Sequence, residues 1–492
     1  MQLLSRRHFL QSAPLAGALP SRGRSPNLVF IIPDQHSGLC LGHAGHPFVR
    51  TPRLDALAQQ GVSFTHAYTA GIICVPSRSS LDTGLHVHTH GARTNGVSMR
   101  AGLPSIFSVL GKHGYLAPKS HSGTGGNGKK YQQWTESLGY GRFASSIIGP
   151  KDKARLIPTP YRFEVGRAGV AREHSVDAFA IQNAIRFLEE NRDRPFGLWI
   201  KLHGAHDPFV VPAPFDTMYR PSELPMPPYR QGEYDSKPAR QKRTWQAQGA
   251  DKLSDNQIRL ILAHYLGMIS FTDDLVGQFL DKLTALGLDG NTVVVYTADH
   301  GDTMGCHRMF TKGFAFYEPS ARIPLIIRAP NDLRRAARVD ALVSGVDVLP
   351  TLLELMGLPP VRGVHGRSLV SLWRGTEIKS HDRVFAGQDY EGLDRLVMLR
   401  TPQWKFTRYD EGGQELYDLE KDPDELRNLI DEPKYTAVAA KLSRDLEAWD
   451  YAYPHAELQI TPEMEQADPQ GVQRIRQAFA AWRKKTSARV ID

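Results

Sequence analysis

Cysteine is scarce in this chain, with three residues among 492: Cys40, Cys74 and Cys306. So small and odd a number argues against a disulfide framework. Beyond the first residues no apolar run is long enough to span a bilayer, and the net charge of +8 includes no basic run interleaved with aromatic residues. We therefore expect neither a membrane span nor a nucleic-acid partner. With 41% hydrophobic and 23% charged residues, the composition is typical of a globular protein with more than one domain.

The first 25 residues resemble an export leader. Arg6 and Arg7 precede a short, weakly apolar segment, and Ala16-Gly17-Ala18 is an A-x-A pattern of the kind that signal peptidase cleaves. This pattern predicts a twin-arginine signal over residues 1–25 and a periplasmic or secreted protein. The alternative interpretation is a disordered basic tail.

Apolar runs alternate with helical patterns from residue 26 to residue 380. "NLVFIIP", "PFGLWIKLHG", "NTVVVYTAD" and "IPLIIRAP" are typical of buried strands, and amphipathic segments lie between them. This alternation predicts an α/β fold in which helices cover both faces of a mostly parallel sheet. Residues 381–492 predict a smaller C-terminal α+β subdomain of short strands and a helix. The stretch 208–248 has no periodicity, so we expect a surface excursion at a substrate-facing rim.

Two polar pairs follow predicted strands. Asp34-Gln35 follows "NLVFIIP", and Asp299-His300 follows the strand in "NTVVVYTAD". Because active sites of such sheets lie at the carboxyl ends of the strands, these side chains are candidates for one divalent cation site. Either pair alone is a weak signal, since Asp after a strand is often a helix cap or turn former.

The stretch "ICVPSRSSLDTG" adds Cys74 to this set. A thiolate is a soft ligand, whereas carboxylate and amide oxygens suit hard cations. The mismatch disappears if Cys74 is oxidised to formylglycine, because the hydrate of that aldehyde carries two hydroxyls on one carbon. These hydroxyls would provide an oxygen ligand and a nucleophile.

The same stretch resembles the C-x-P-S-R and L-x-T-G signature of the formylglycine-dependent, type I sulfatases of the alkaline phosphatase-like superfamily. Further similarity in "PNLVFIIPDQ", "YTADHGDTMGCHRMFTKGFAFYEPSARIPLIIRAP" and "ELYDLEKDPDELRNL" extends the resemblance over residues 26 to 450. It implies an alkaline phosphatase-like fold, hydrolysis of a sulfate monoester in a sulfated small molecule or sugar, and maturation by a formylglycine-generating enzyme.

The resemblance also implies a role for each matching residue. The implied ligands of the cation are Asp34, Gln35, the converted Cys74, Asp299 and His300. The implied catalytic residues are Cys74 as nucleophile, Arg78 to orient it, Lys119 and Lys312 to bind sulfate, His121 as base and His206 as general acid.

Two features depart from the family pattern. Gln35 and His300 stand where many sulfatases have Asp and Asn, so the site carries less negative charge, a change that favours Mn²⁺ or Mg²⁺ over Ca²⁺. Our first expectation for the cation is still Ca²⁺, with Mg²⁺ and Mn²⁺ as the alternatives. The same pairs resemble those of phosphonate monoester hydrolases, which share the formylglycine nucleophile. "GYLAPKSHSG" is similar to a shortened form of the family segment that contains the first sulfate-binding lysine.

Three functions therefore stay open: a sulfatase, a phosphonate monoester or phosphodiester hydrolase on the same scaffold, and a non-catalytic binder of sulfated glycans if Cys74 is never converted. The histidine-rich run "HVHTH", residues 86–90, fits no known zinc spacing, so we expect a loop without zinc there.

Overall fold

A computed structural model describes most of the chain. The described residues are 25–95, 97–118, 121–122, 128–138, 155–157, 163–330, 337–376, 381–390 and 394–456, with isolated positions 473 and 477. The predicted leader lies outside them except for residue 25. None of the helices in these ranges is both long and apolar enough to cross a membrane.

The strands and helices of the described residues alternate as the sequence predicts. The strands are β1 Asn27–Pro33, β2 Val62–Tyr68, β3 His121–Ser122, β4 Arg155–Ile157, β5 Phe163–Arg167, β6 Gly197–Leu202, β7 Phe209–Val211, β8 Thr292–Thr297, β9 Arg322–Ile323, β10 Leu325–Arg328, β11 Ala337–Ser344, β12 Val384–Tyr390, β13 Asp394–Arg400, β14 Trp404–Tyr409 and β15 Gln414–Asp418. The helices are α1 Pro52–Gln60, α2 Cys74–Thr83, α3 Val87–His90, α4 Ile106–Lys112, α5 Gly128–Ser137, α6 Val176–Asn191, α7 Ala239–Gln248, α8 Asp255–Ala285, α9 Glu318–Ala321, α10 Val348–Leu355, α11 Val370–Arg374 and α12 Thr436–Ala452.

The central sheet has the strand order β11-β2-β10-β8-β1-β6-β3, and β9 pairs with β2. β1 lies between β6 and β8 and is parallel to both, and β2 is parallel to β11. β10 is antiparallel to β8 and β2, and β9 is antiparallel to β2, so the sheet is mixed. A parallel neighbour would require a long crossover connection, usually a helix. The chain passes from β8 to β10 without such a helix, which is compatible with their antiparallel pairing.

Helices cover both faces of this sheet, which confirms the predicted α/β class. Val29 and Ile31 of β1 belong to a core that includes residues of α1, α6 and α8. Leu28, Phe30 and Ile32 alternate with them and pack into a second core with α4, α10 and α11. Burial on both faces explains why β1 has a continuous apolar sequence rather than an alternating one.

The C-terminal sheet is antiparallel, in the order β12-β13-β14-β15, and α12 packs against it. One apolar cluster joins this sheet to the residues that precede it in the chain, since Tyr68, Ile72 and Phe316 pack with Leu396 and Met398. The predicted α+β subdomain is therefore present, and it shares a core with the residues before it. The boundary at residue 380 stays a prediction.

The prediction of a surface excursion over residues 208–248 is only partly right. This stretch contains β7 and α7, and the side chains of Glu233 and Lys237 are fully buried. They form a 2.8 Å ion pair, and His307 Nδ1 lies 2.9 Å from Glu233. A buried ion pair leaves no apolar periodicity in the sequence, which explains why the stretch resembles a surface loop.

Candidate active site

Three elements bring the predicted nucleophile and cation ligands to one edge of the sheet. Asp34 follows β1, Asp299 follows β8, and Cys74 is the first residue of α2. The helix ends where Gly84 adopts a left-handed conformation, with φ of 67°, which glycine accepts readily. Strand ends and a helix start thus position all three side chains, as the sheet-edge rule predicts.

Four of the predicted ligands form a compact group. Cys74 Sγ lies 3.7 Å from Asp34 Oδ1 and 3.5 Å from His300 Nε2. His300 Nε2 is in turn 3.7 Å from Asp34 Oδ1 and 3.8 Å from Asp299 Oδ1. Potential ligand atoms of all four residues lie within 4.8 Å of one another. Two carboxylates and an imidazole fit a divalent cation, and an oxygen in place of Sγ would fit a hard one better than a thiol does.

Arg78 lies between the two carboxylates. Its Nη2 is 2.6 Å from Asp34 Oδ2, and its Nε is 2.8 Å from Asp299 Oδ2. Because Arg78 is one helical turn after Cys74, α2 fixes the guanidinium and the nucleophile in one orientation. The predicted orienting role of Arg78 is consistent with this position.

Gln35 contributes to the site through both ends of its amide. Its Nε2 donates to Asp302 Oδ2 at 2.6 Å, and its Oε1 accepts from Lys312 Nζ at 2.5 Å. Its backbone N–H donates to Asp299 at 3.1 Å. Gln35 lies beside the predicted cation site, and its role as a ligand stays a prediction.

His206 and Lys312 are in direct contact. Lys312 Nζ lies 2.5 Å from His206 Nε2, and His206 Nδ1 lies 2.5 Å from the carbonyl oxygen of Asp207. Asp207 Oδ1 is 3.7 Å from Lys312 Nζ. Since a lysine ammonium can only donate, His206 Nε2 is the acceptor in this contact and Nδ1 is the nitrogen that donates to the Asp207 carbonyl.

Three histidine and lysine residues of the predicted set or its surroundings remain: His121, Lys119 and His203. His121 belongs to β3, where its backbone pairs with Ile200 of β6, which places it on the same sheet. Lys119 lies outside the described residues. His203 is half-buried, and desolvation of its ring lowers its pKa to about 4, which supports a packed, neutral imidazole.

Burial and the surrounding charges shift the pKa values of Asp34 and Cys74 in opposite directions. Burial alone would raise the pKa of Asp34, but the charges around it, Arg78 first among them, together outweigh burial and hold this pKa well below its usual value. Burial, followed by the charges of Asp299 and Asp34, raises the pKa of the Cys74 thiol. The unmodified thiol is thus protonated near neutral pH, a form that is a weak nucleophile and a weak ligand.

A cavity of about 470 Å³ opens beside these residues. His206, Asp207 and Lys312 contribute to its lining, together with Thr244 and Gln248 of α7. The stretch 208–248 therefore does border the site, as expected of a substrate-facing rim.

Three further polar residues were not singled out from the sequence. Asp302 holds the Gln35 amide, Asp207 contacts His206 and Lys312, and Asn95 Oδ1 accepts the backbone N–H of Val75 at 3.0 Å. Asp302 and Asp207 lie within the motifs "DHGD" and "HGAHDPF", so their proximity to predicted site residues was an available signal. Asn95 is in no such motif.

Replacing Arg78 with methionine is expected to destabilise the chelator-treated protein by about 3–5 kcal/mol, because it leaves two largely buried carboxylates unpaired. Urea unfolding of that protein measures the change. Arg220→Met is the matched control, since the ion pair of Arg220 with Glu223 is exposed and should contribute less than about 1 kcal/mol. Equal losses in the two variants would contradict a structural role for the Arg78 pairs.

Comparison with known proteins agrees with this geometry. A family model described as "Sulfatase" matches residues 26–358, and one described as "N-sulphoglucosamine sulphohydrolase, C-terminal" matches residues 305–451. An arylsulfatase of Clostridium perfringens is 30% identical over 445 residues, which cover 83% of this chain and 91% of the relative. Arylsulfatase K of Bos taurus is 26% identical over 473 residues, covering 87% of this chain and 82% of the relative.

A solved structure is similar over most of the chain. The phosphonate monoester hydrolase of Agrobacterium radiobacter has a TM-score of 0.76 and 26% identity, and the match covers 87% of this chain and 96% of that structure. Fold and site together define a hydrolase with an alkaline phosphatase-like α/β architecture. The chain belongs to the sulfatase family, whose members are sulfuric ester hydrolases.

Proposed function

We propose that the protein hydrolyses a sulfate monoester to an alcohol and inorganic sulfate, with a formylglycine hydrate made from Cys74 as nucleophile. The observation that carries this proposal is the position of Cys74, at the first turn of α2 and within 3.7 Å of Asp34 and 3.5 Å of His300. A thiol has no evident use among such hard-cation ligands, whereas a hydrate oxygen does.

One divalent cation would be held by Asp34, Gln35, Asp299, His300 and the converted residue 74. When bound, it supplies Lewis-acid stabilisation of negative charge on oxygen. The donor set of two carboxylates, one amide and one imidazole carries two negative charges. This set suits Ca²⁺, our first expectation, and also Mg²⁺ or Mn²⁺.

The described cations of the chain would bind and orient the reacting groups. Arg78, fixed by two carboxylates, orients residue 74 and offsets its developing charge. Lys312 binds the sulfate group, with Lys119 proposed as the second sulfate-binding lysine. Preorganised cations of this kind stabilise a transition state because they need no rearrangement as charge develops.

The Lys312–His206 contact suggests how substrate binding would prepare the general acid. Without substrate, Lys312 Nζ is hydrogen-bonded to His206 Nε2. When Lys312 turns to the sulfate group, that nitrogen becomes free to carry a proton and face the leaving oxygen. The carbonyl of Asp207 keeps the ring oriented through Nδ1.

The proposed reaction has two chemical steps. A hydrate oxygen attacks sulfur, the bond from sulfur to the alcohol oxygen breaks, and His206 protonates the departing alcohol. The second hydroxyl is then deprotonated, with His121 as the proposed base, so that the bond from carbon to the sulfated oxygen breaks and sulfate leaves. Water rehydrates the resulting aldehyde and restores the nucleophile.

Maturation and location follow from the same proposal. Conversion of Cys74 requires a formylglycine-generating enzyme, and the twin-arginine pattern supports export to the periplasm or beyond. The sulfated substrate would be a small molecule or a sugar. Arylsulfatases among the relatives support an ester of this class.

A second candidate is hydrolysis of a phosphonate monoester or phosphodiester. It is favoured by the similarity to the Agrobacterium radiobacter enzyme and by Gln35 and His300 at the cation site. A binder of sulfated glycans without catalysis is the third candidate, and it requires an unconverted Cys74.

Parallel turnover assays with an aryl sulfate and an aryl phosphonate monoester separate the first two candidates. We expect kcat/KM to favour the sulfate by at least about tenfold, which corresponds to ~1.4 kcal/mol of transition-state stabilisation. The Cys74→Ala protein provides the background rate for both substrates. A higher kcat/KM for the phosphonate would replace the sulfatase proposal with the second candidate.

A further inference from the structure

The histidine-rich run at residues 86–90 follows the nucleophile helix α2 in the chain, and its side chains lie against the end of α12. His88 belongs to α3 and is 1% exposed, and within the described part of the chain neither of its ring nitrogens has a hydrogen-bond partner. Such a buried imidazole is unusual, because buried polar groups are nearly always satisfied. Its ring therefore needs an explanation.

Two other potential ligands face His88. One potential ligand atom from each of His88, Asp450 and His455 lies within 4.8 Å of the other two. His455 Nε2 is 3.2 Å from Asp450 Oδ1 and also 3.2 Å from the backbone carbonyl oxygen of Asp450. Ligands about 2.0–2.1 Å from a tetrahedral Zn²⁺ are separated by roughly 3.3 Å, so this spacing suits two ligands of one ion.

Neighbouring groups hold these three side chains in place. The His88 and His455 rings have centroids 4.7 Å apart, and Trp449 meets His88 edge-on at 4.9 Å. Asp450 accepts two bonds from Arg395, at 2.6 and 2.8 Å. This contact fixes the orientation of the carboxylate and leaves a further lone pair on each oxygen, as outer partners of metal ligands commonly do.

Two arginines lie near these side chains, and each is paired with a carboxylate. Arg395 is paired with Asp450 and lies 3.6 Å from Asp389, and Arg93 donates to Asp389 at 2.6 Å. The two arginines are thus offset by two carboxylates.

We propose that His88, Asp450 and His455 form a second metal site, which takes Zn²⁺ and is separate from the cation site at Cys74. Two imidazoles and one carboxylate suit zinc, and water can complete four-coordination. The donor set differs from that of the catalytic site, which has more oxygen ligands and is better suited to Ca²⁺ or Mg²⁺.

The site would join the C-terminal helix to the segment that follows the nucleophile helix. Ala456 N already donates to the carbonyl of His88 at 2.7 Å, and Ser80 of α2 lies 3.0 Å from His90 Nε2 of α3. A metal at this position would add a bond between α12 and α3. The sequence spacing could not predict it, because Asp450 and His455 come from the far end of the chain.

Zinc stoichiometry tests this proposal. The tag-free, full-length protein is stripped with a chelator, incubated with Zn²⁺, dialysed against metal-free buffer and analysed by mass spectrometry for zinc. We expect His455→Ala to retain one equivalent fewer than the unmodified protein, and Asp450→Asn to bind zinc more weakly. His113→Ala, which removes an exposed histidine, should retain the full amount.

A spectroscopic measurement distinguishes this site from the catalytic one. Co²⁺ in a four-coordinate, nitrogen-containing site gives intense visible bands, which we expect in the unmodified protein and not in His455→Ala. Added Zn²⁺ should raise the Tm of the unmodified protein more than that of His455→Ala. Equal zinc content in the two proteins would overturn the proposal, whatever the activity of either.

Discussion

Replacing Cys74 with alanine is expected to reduce turnover of an aryl sulfate by at least about 10⁴-fold, because the variant cannot form the proposed covalent intermediate. Arg78, His206 and Lys312 keep their positions in this variant, so substrate can still bind. Initial-rate assays with the purified variant measure the loss, and binding of a sulfated ligand checks that the pocket is intact.

The matched control is Cys306→Ala, a change at another cysteine outside the motif. We expect it to keep full activity. Mass spectrometry of the peptide that contains residue 74 provides the direct readout, and in protein from a host with the modifying enzyme we expect the mass of formylglycine. Active protein that carries only an unmodified thiol would show that the proposed nucleophile is wrong.

Replacing His206 with alanine is expected to slow hydrolysis by about 10²–10⁴-fold for alkyl sulfates, because a poor leaving group needs a proton as it departs. The loss should shrink as the leaving alcohol becomes more acidic. A series of aryl sulfates with different leaving-group pKa values measures this dependence on kcat/KM.

The slope of that series separates a general acid from a structural role. A histidine that merely supports Lys312 would lower the rate by the same factor for every leaving group. His113→Ala serves as a control for the loss of a histidine outside the site. If the His206→Ala loss did not vary along the series, the general-acid assignment would be contradicted.

Long apolar patterns predicted the fold well. The continuous apolar run of β1 and the amphipathic pattern of α8 both depend only on which residues of one element are buried. Burial of this kind determines the local pattern of apolar residues, so it can be predicted from the sequence. The antiparallel position of β10 was not predictable in this way. A short, buried strand has the same sequence character whichever direction its neighbours take.

The candidate site was predictable where a motif marks it. Asp34, Cys74, Arg78, Asp299 and His300 do meet at the sheet edge. The contact between Lys312 and His206 was not predictable, because it depends on how two separate loops fold over the sheet. The proposed zinc site was not predictable for the same reason, because the partners of His88 come from α12 and the residues after it.

The apolar cluster that joins Tyr68, Ile72 and Phe316 to the C-terminal sheet has a consequence for how such enzymes diversify. Ile72 immediately precedes the nucleophile motif. A change of side-chain volume at Leu396 or Met398 would therefore shift residues close to the reacting centre. Exchange of the C-terminal segment between relatives would therefore need compensating substitutions on the catalytic side. Inheritance of the two parts as one unit is the expected pattern.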